Sequence, residues 1–252
     1  MMNQEINQYM TKERICVIVP TYNNAGTLMD IISRIREFTH QIIVVNDGST
    51  DDTQRILAAE ENLVVVDYTP NRGKGCALKM GFERAVQENY RYAITIDSDG
   101  QHFPEDIPLF IEAHRRNQQA LIVGARELNP DRMRRGSNFA NKFSNFWFNF
   151  QTGLHLNDTQ SGYRLYPITS MNLHWPITAR YESELEFLVY SAWKGIDVIS
   201  IPVRVYYPPK EERVSSFRPV YDFTRISILN TILTMGAIVY YFPQKLLRRL
   251  HL

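Results

Sequence analysis

The sequence predicts an α/β fold in which a mainly parallel sheet is flanked by helices. Two observations lead to this prediction: short β-branched runs alternate with longer segments, and the apolar residues of those longer segments recur at helical spacing. With 252 residues, of which 44% are hydrophobic and 22% charged, the composition is that of a globular protein with a sizeable core. It excludes a disordered, collagen-like or coiled-coil chain.

Five short apolar runs are predicted to be buried strands. They are Ile15–Val19, Ile42–Val45, Leu63–Asp67, Ala93–Asp97 and Leu121–Val123. Two segments between them are predicted to be amphipathic helices, through Leu28, Ile31, Ile32 and Ile35 and through Leu78, Phe82, Ala85 and Val86. Because ligands of parallel sheets bind beyond the carboxyl ends of the strands, we expect Pro20, Asp47 and Asp97 to converge on one edge.

Beyond about residue 125 the pattern changes. It predicts an Arg-rich segment, an aromatic-rich helix around Phe139–Phe150, a glycine-containing loop, a helix near Glu184–Lys194 and a strand pair near Val198–Tyr207. The aromatic series of the first helix is expected to be a core stripe, made of Phe139, Phe143, Phe146, Trp147 and Phe150. Without internal repeats or long linkers, we expect a polar tail at 1–13, one domain at 14–222 and an apolar and basic helical segment at 223–252.

Charge and cysteine content narrow the class of protein. Lys and Arg number 28 against 27 Asp and Glu, a net charge of +1, so no nucleic-acid partner is expected. The two cysteines, Cys16 and Cys76, cannot form a disulfide framework or a four-ligand zinc site, which is typical of a reduced cytoplasmic setting. Residues 1–13 lack the apolar core of a secretion signal.

Polar motifs follow three of the predicted strands, and each has a structural alternative. Asp97 and Asp99 offer hard oxygen ligands for Mg²⁺ or Mn²⁺, which would clamp a diphosphate, or they form a solvated turn. Asp47, in Asp47-Gly48-Ser49, could hydrogen-bond a nucleobase edge, while the same run would serve as a tight turn and helix cap. After Pro20, Tyr22 offers an aromatic platform at the same edge.

A fourth motif, Asn71-Arg72-Gly73-Lys74-Gly75, places a lysine between two glycines at a predicted helix N-terminus. It is a candidate anion site, or a flexible turn entering the helix. Its spacing is not that of a Walker A loop. His102, in the loop after Asp99, is expected to cap or hydrogen-bond rather than to ligate a metal.

These four motifs occur in order at the ends of successive strands, and with them the chain resembles the family-two inverting glycosyltransferases over roughly residues 14–210. Within that family it is most similar to the dolichyl- and polyprenyl-phosphate sugar synthases. The closer likeness rests on residues 97–104 (DSDGQHFP), 123–126 (VGAR) and 158–164 (DTQSGYR). The resemblance implies the Rossmann-like GT-A fold and an enzyme that uses a nucleotide-sugar donor, GDP- or UDP-linked.

The resemblance also implies roles for individual residues. On the donor side it assigns the nucleotide to Pro20, Tyr22, Asn24, Asp47, Lys74 and Asp97, the Mg²⁺ or Mn²⁺ to Asp97, Asp99 and Gln101, and a flap over the pyrophosphate to Arg213, Ser215 and Ser216. On the acceptor side it assigns Arg126, Arg135, Asp158, Ser161, Gly162 and Arg164. Two positions depart from the pattern, because Asn24 stands where the family commonly has glutamate and Asn138 where the subgroup has serine.

The implied reaction leaves the acceptor open. Asp99, through the metal, and Arg213 would neutralise the leaving nucleoside diphosphate while the acceptor inverts the anomeric carbon. A polyprenyl phosphate is already an anion and needs no base, and the aromatic helix could then line a groove for its lipid. A hydroxyl of a glycan or lipid-linked saccharide needs a base, for which Glu182 is the candidate unless it is a solvated residue opening a helix. The alternative of another class is a non-catalytic nucleotide-sugar-binding subunit.

The segment Ile226–Phe242 bears on location. It spans 17 mostly apolar residues, short of the roughly 20 that a membrane-spanning helix needs. Since Lys245, Arg248 and Arg249 follow it, we expect it to lie on an anionic leaflet. The alternative is a helix packed onto the domain or onto a second copy. We therefore expect a cytoplasmic protein held peripherally at the inner membrane face, with homo-oligomerisation left open.

Overall fold

The computed structural model describes residues 2–126, 135–171, 173, 176–207 and 219–250, with the backbone alone for residues 2, 135–140, 219–223 and 248–250. The strands are β1 (Ile15–Thr21), β2 (Ile42–Asp47), β3 (Val64–Tyr68), β4 (Tyr92–Thr95), β5 (Leu121–Arg126), β6 (Arg164–Tyr166) and β7 (Val198–Val203). The helices are α1 (Met2–Glu13), α2 (Leu28–Arg36), α3 (Thr53–Ala58), α4 (Lys74–Gln87), α5 (Ile107–Arg116), α6 (Arg135–Thr152), α7 (Glu182–Trp193), α8 (Pro219–Gly236) and α9 (Phe242–Leu250). A 3-10 turn (Pro104–Asp106) precedes α5, and a π-helical turn (Ala237–Tyr241) joins α8 to α9.

A seven-stranded sheet in the order β3-β2-β1-β4-β6-β5-β7 forms the centre of the fold, which confirms the predicted α/β class. All neighbouring strands are parallel except β6, which runs antiparallel to β4 and β5. The register pairs Thr21 with Asn46 and Asp47 with Tyr68, so the carboxyl ends of β1, β2 and β3 lie level. The loops after these strands therefore open at one edge of the sheet.

Two predictions for the second half of the chain are corrected. The predicted strand pair near 198–207 is the single strand β7, followed by an isolated bridge between Val205 and His102. The predicted glycine-containing loop includes β6, whose three residues are too few to show a period in the sequence. Tertiary pairing with β4 and β5, rather than local propensity, holds β6 in the sheet.

Both faces of the sheet are covered by helices. One hydrophobic cluster joins α1, α2 and α5 to the strands, and the other joins α4, α6, α7 and α8 to the opposite face. The expected polar tail at 1–13 is instead the helix α1, whose Ile6 and Met10 lie one turn apart and are buried. The Tyr9 hydroxyl lies 3.0 Å from His114 Nδ1 of α5, which ties α1 to the domain.

The aromatic series on α6 is not the core stripe that the sequence predicts. Phe146 and Phe150 are exposed, whereas Phe148, outside the series, is fully buried. The side chain of Phe139 lies outside the described residues. The helical stretch Thr224–Leu247 has 24 residues and contains an 18-residue window with a mean hydropathy of 1.4, of which 22% is buried in the protein. By length and composition it is long and apolar enough to cross a membrane.

Candidate functional site

The Asp-Gly-Ser motif after β2 organises the loop that leads into α4. The Asp47 carboxylate accepts hydrogen bonds from the backbone N–H of Arg72 (2.7 Å) and of Gly73 (2.9 Å) and from Asn71 Nδ2 (2.8 Å). Gly48 has φ +68°, and a β-carbon there would lie 2.6 Å from the Asn71 backbone nitrogen. Asp47 thus occupies two backbone donors of the candidate anion motif, and these bonds position Lys74 at the start of α4.

The loop after β1 is tied to the Asp97-Ser98-Asp99 segment. Asn24 Nδ2 donates to Ser98 Oγ at 2.9 Å, and Ser98 Oγ donates to the Pro20 carbonyl at 3.1 Å. Thr27 Oγ1 donates to the Ser98 carbonyl at 2.5 Å. Asn24 therefore joins the two loops across the sheet edge, and the half-buried Tyr22 follows β1 at the same edge.

A cluster of charged side chains lies at the centre of this edge, and we call Lys74, Asp97 and Glu184 the charged cluster. The Lys74 ammonium lies 2.8 Å from the Asp97 carboxylate and 3.2 Å from Glu184 Oε2. Gly162 closes the cluster, since a β-carbon there would lie 2.5 Å from Lys74 Nζ and 2.7 Å from Asp97 Oδ2. Residues from four separate loops and helices thus meet within contact distance.

Glu184 is not among the residues predicted for the site. The run Glu182-Ser183-Glu184-Leu185-Glu186 offers three carboxylates at the start of one helix, and the sequence does not say which faces the sheet edge. Residues two apart on a helix point about 200° apart, so Glu182 and Glu184 face different neighbours. Glu182 is buried and accepts a hydrogen bond from Arg225 Nε of α8 at 2.7 Å. The predicted base is thus paired with the C-terminal helix, and Glu184 carries the charge at the cluster.

The charges of the cluster shift the protonation of its members. Burial opposes ionisation of Asp97, but the nearby Lys74 ammonium holds the pKa of this carboxyl below its usual range. Burial and then the negative charge of Asp97 raise the pKa of Asp99 to about 6. Burial lowers the pKa of His102 to about 4, so its imidazole is neutral at pH 7. Asp97 and Asp99 thus place two carboxylates close together, and Lys74 balances the charge of Asp97. Such a pair favours the binding of an added cation.

Asp97, Asp99 and Gln101 were predicted to surround a divalent metal. Asp99 Oδ1 accepts a hydrogen bond from the Gln101 backbone N–H at 3.0 Å, which folds the loop back over the two carboxylates. Within the described residues, no three His, Cys, Asp or Glu side chains are grouped so as to hold a metal ion by themselves. Mg²⁺ and Mn²⁺ sites of nucleotide enzymes commonly use one or two carboxylates, with phosphate and water oxygens completing the shell. The residues present fit a metal that arrives with a diphosphate.

On the predicted acceptor side, most side chains bond within the protein. Arg126 Nε lies 2.6 Å from Asp158 Oδ2 and its Nη2 lies 3.0 Å from Oδ1, a bidentate pair in which Asp158 is fully buried. Arg164 is also fully buried and donates to the carbonyls of Ser161 (2.6 Å), Thr159 (2.9 Å) and Glu184 (2.7 Å). Asp158 and Arg164 thus support the loop on the predicted acceptor side through contacts within the protein.

Other predicted residues are placed as follows. Ser161 is buried, and its Oγ accepts a hydrogen bond from the Tyr163 N–H at 3.3 Å. Arg126 is partly exposed. Arg135 begins α6, with only its backbone described. The flap residues Arg213, Ser215 and Ser216 lie outside the described residues.

Comparison with known proteins points in the same direction as the geometry. Residues 16–170 match glycosyl transferase family 2. The chain is 26% identical over 221 residues to UDP-N-acetylglucosamine–dolichyl-phosphate N-acetylglucosaminyltransferase of Methanococcus voltae, covering 79% of this chain and 88% of that protein. It is 26% identical over 204 residues to polyprenol monophosphomannose synthase of Mycolicibacterium smegmatis, covering 76% and 77%.

A similar solved structure is that of glucosyl-3-phosphoglycerate synthase from Mycobacterium tuberculosis in complex with Mn²⁺, UDP-glucose and phosphoglyceric acid. It superposes with a TM-score of 0.63 at 19% identity, covering 93% of this chain and 83% of that one. At this identity the likeness is one of fold, and the fold is GT-A.

Proposed function

Because the chain belongs to glycosyl transferase family 2, we propose that this glycosyltransferase moves a sugar from a nucleotide donor to a polyprenyl phosphate, with inversion, at the cytoplasmic membrane face. The observation that carries the proposal is the charged cluster beside Asp99 at the carboxyl edge of the sheet. Relatives named for transfer to dolichyl phosphate and for polyprenol monophosphomannose synthesis support the choice of acceptor.

On the donor side, the sheet edge combines an aromatic platform, two carboxylates and a buried cation. Asp97 and Asp99 would hold Mg²⁺ or Mn²⁺, which when bound supplies positive charge to the leaving diphosphate. Lys74, whose pKa stays above its usual value beside Asp97 and Glu184 despite burial, adds a fixed positive charge at the same place. Preorganised charges of this kind stabilise a leaving group without reorganisation during the reaction.

The choice between phosphate and hydroxyl acceptors depends on a general base. A hydroxyl acceptor needs a carboxylate within hydrogen-bond reach, and the sequence candidate was Glu182. Glu182 is 1% exposed and paired with Arg225, so it is poorly placed to take a proton from an acceptor. This supports a phosphate acceptor, which attacks as an anion. Among the arginines that the family resemblance assigns to the acceptor side, Arg126 has a described side chain that is partly exposed.

The location of the reaction follows from its acceptor. A polyprenyl chain stays in the bilayer, so the enzyme must meet the membrane from the side that holds nucleotide sugars. The outward side chains of α8, among them Ile228, Ile232 and Met235, are more than half exposed and support contact of this helix with lipid.

Two measurements test the proposal. In a thermal-shift screen, UDP or GDP with Mn²⁺ should raise the melting temperature of the wild type, and Asp99→Asn should lose the metal-dependent part of the shift. In a transfer assay with the preferred nucleotide sugar, a polyprenyl phosphate should accept the sugar while the polyprenol of equal length should not. Transfer to the alcohol at a similar rate would identify a hydroxyl acceptor instead. Nucleotide binding without transfer to any acceptor would identify a non-catalytic nucleotide-sugar-binding subunit.

A further inference from the structure

Part of helix α6 departs from the usual burial pattern of a helix on a soluble protein, although Phe148 is buried. Phe146 is 60% exposed and Phe150 is 45% exposed. Three polar side chains of the same helix, Ser144, Gln151 and Thr152, are buried. A surface helix in water places its apolar side inward and its polar side outward. The outward side of α6 therefore suits an apolar surrounding better than water.

The buried polar side of α6 is matched by the C-terminal helices. Gln151 Nε2 donates to the Asn230 carbonyl at 3.1 Å and to Thr234 Oγ1 at 3.2 Å, both on α8. Trp193 Nε1 donates to the Gln151 carbonyl at 2.9 Å. The bonds of Gln151 Nε2 fix α6 against α8, and that of Trp193 ties α6 to α7, so α6 and α8 present their outward sides together.

The outward sides of α6 and the C-terminal helices are continuous. The Phe150 ring lies 6.3 Å from the Phe242 ring of α9, and Trp147 lies between Phe146 and Phe150 at 5.3 and 6.1 Å. Along the C-terminal helices, eight large apolar side chains are more than half exposed: Ile228, Ile232, Met235, Ile238, Val239, Tyr240, Leu246 and Leu247. The first three, spaced by four and three residues, lie on one side of α8.

We propose that Phe146 and Phe150 form, with the outward side of α8 and α9, one docking surface for an anionic lipid bilayer. The domain itself, and not its C-terminal helix alone, would then contact lipid. The inference rests on the proposed function in one respect, since a lipid-linked acceptor requires the site to face a membrane.

Charge decides between a bilayer and a second copy of the chain as the occupant. Lys245 lies beside the aromatic part of the surface, with its ammonium 5.4 Å from the Tyr241 ring centre, and Arg248 and Arg249 follow in α9. A two-fold dimer through this surface would bring the Lys245 ammonium groups of both copies into one shared interface. Against an anionic leaflet they meet lipid phosphates, which attract basic residues near the surface.

Vesicle binding by the full-length chain tests the proposal. The probe is co-sedimentation with vesicles of phosphatidylcholine containing 30% phosphatidylglycerol, in the absence of donor. Each phenylalanine moved from water into lipid is worth about a tenfold change in partitioning or more, so Phe146→Ser/Phe150→Ser should weaken binding at least tenfold. Phe146→Leu/Phe150→Leu should retain most of the binding, because leucine keeps the apolar surface.

Matched controls come from exposed apolar residues elsewhere. Val86 on α4 and Leu109 on α5 are 42% and 44% exposed, and Val86→Ser and Leu109→Ser should bind vesicles as the wild type does. The nucleotide-induced thermal shift, measured without lipid, should be the same in all variants and shows that each is folded.

Two results would overturn the proposal. One is wild-type vesicle binding by the double serine variant. The other is a stable wild-type dimer in light scattering that the double variant converts to monomer while vesicle binding is unchanged, which would identify a second copy as the occupant. Neither result bears on sugar transfer to a detergent-solubilised polyprenyl phosphate, so failure of the docking surface and failure of the proposed reaction are distinguishable.

Discussion

Replacing Gly162 by alanine is the sharpest perturbation of the charged cluster that the fold allows. A β-carbon at Gly162 would lie 2.5 Å from Lys74 Nζ, 2.7 Å from Asp97 Oδ2 and 3.1 Å from Glu184 Oε1. The φ angle of Gly162 is outside the left-handed region, so alanine meets no backbone strain there. Its effect comes from contact with these three charged side chains.

The size of the effect follows from the displacement that the methyl group forces. Ordinary contact begins near 3.4 Å, so Lys74 Nζ must move by about 0.9 Å, the difference between 3.4 and 2.5 Å. That movement stretches its 2.8 Å contact with Asp97, and a charged hydrogen bond contributes about 1.5–3 kcal/mol. A misplacement of about 1 Å in a positioned group costs on the order of a hundredfold in rate. We expect Gly162→Ala to lose about 1.5–3 kcal/mol of stability and about a hundredfold in kcat/KM.

Urea unfolding and steady-state sugar transfer measure the two effects, and calorimetric titration with the preferred nucleoside diphosphate and Mn²⁺ reports donor affinity. The matched control is Gly26→Ala, because a β-carbon at Gly26 has no atom within 4 Å. Wild-type transfer and donor affinity in Gly162→Ala would refute the idea that the Lys74–Asp97 geometry controls catalysis.

Three further predictions test single residues. The pKa of Asp99, raised to about 6, means that the folded protein binds a proton that the unfolded chain releases near pH 4, so stability falls as pH rises between these values. Metal-free Asp99→Asn should therefore be about 1–3 kcal/mol more stable than wild type at pH 7 and equal to it near pH 4, and equal melting temperatures at pH 7 would contradict this. Asp158→Asn leaves the Arg126 guanidinium, 16% exposed, without its buried charge partner and should cost about 3–5 kcal/mol in urea unfolding, whereas a loss below about 1 kcal/mol would show that the pair is solvated. Glu182→Gln should keep the transfer rate within about tenfold, since loss of a true base costs roughly 10²–10⁴-fold.

The hydrophobic periods of the sequence predict much of the fold. All five predicted strands occur, because runs such as Ile42–Val45 are buried on both faces and so read as continuous β-branched segments. The loops that carry Pro20, Asp47 and Asp97 also come together, since parallel strands bring the loops after their carboxyl ends to one edge. The short strand β6 was missed because three residues show no period and only its neighbours hold it in place.

Side-chain environment was harder to predict than element type. Phe146 and Phe150 follow a regular helical spacing, yet they point outward while Gln151 points inward to α8. The helical spacing of apolar residues indicates that one side of a helix is apolar, but it does not indicate whether protein, lipid or water covers that side. The same limit applies to Asp158 and Arg164, whose residue types suit ligand binding but whose partners lie within the protein.

The amino-acid order determined the α/β class, the loops that form the site and the family, because hydrophobic period and motif spacing are local properties of a chain. Tertiary packing decided that Glu184 meets Lys74 while Glu182 meets Arg225, and that the aromatic side of α6 faces outward. These outcomes depend on how each helix is rotated against the sheet and against α8. That rotation is set by contacts between residues far apart in sequence, such as Gln151 and Asn230, which no local pattern records.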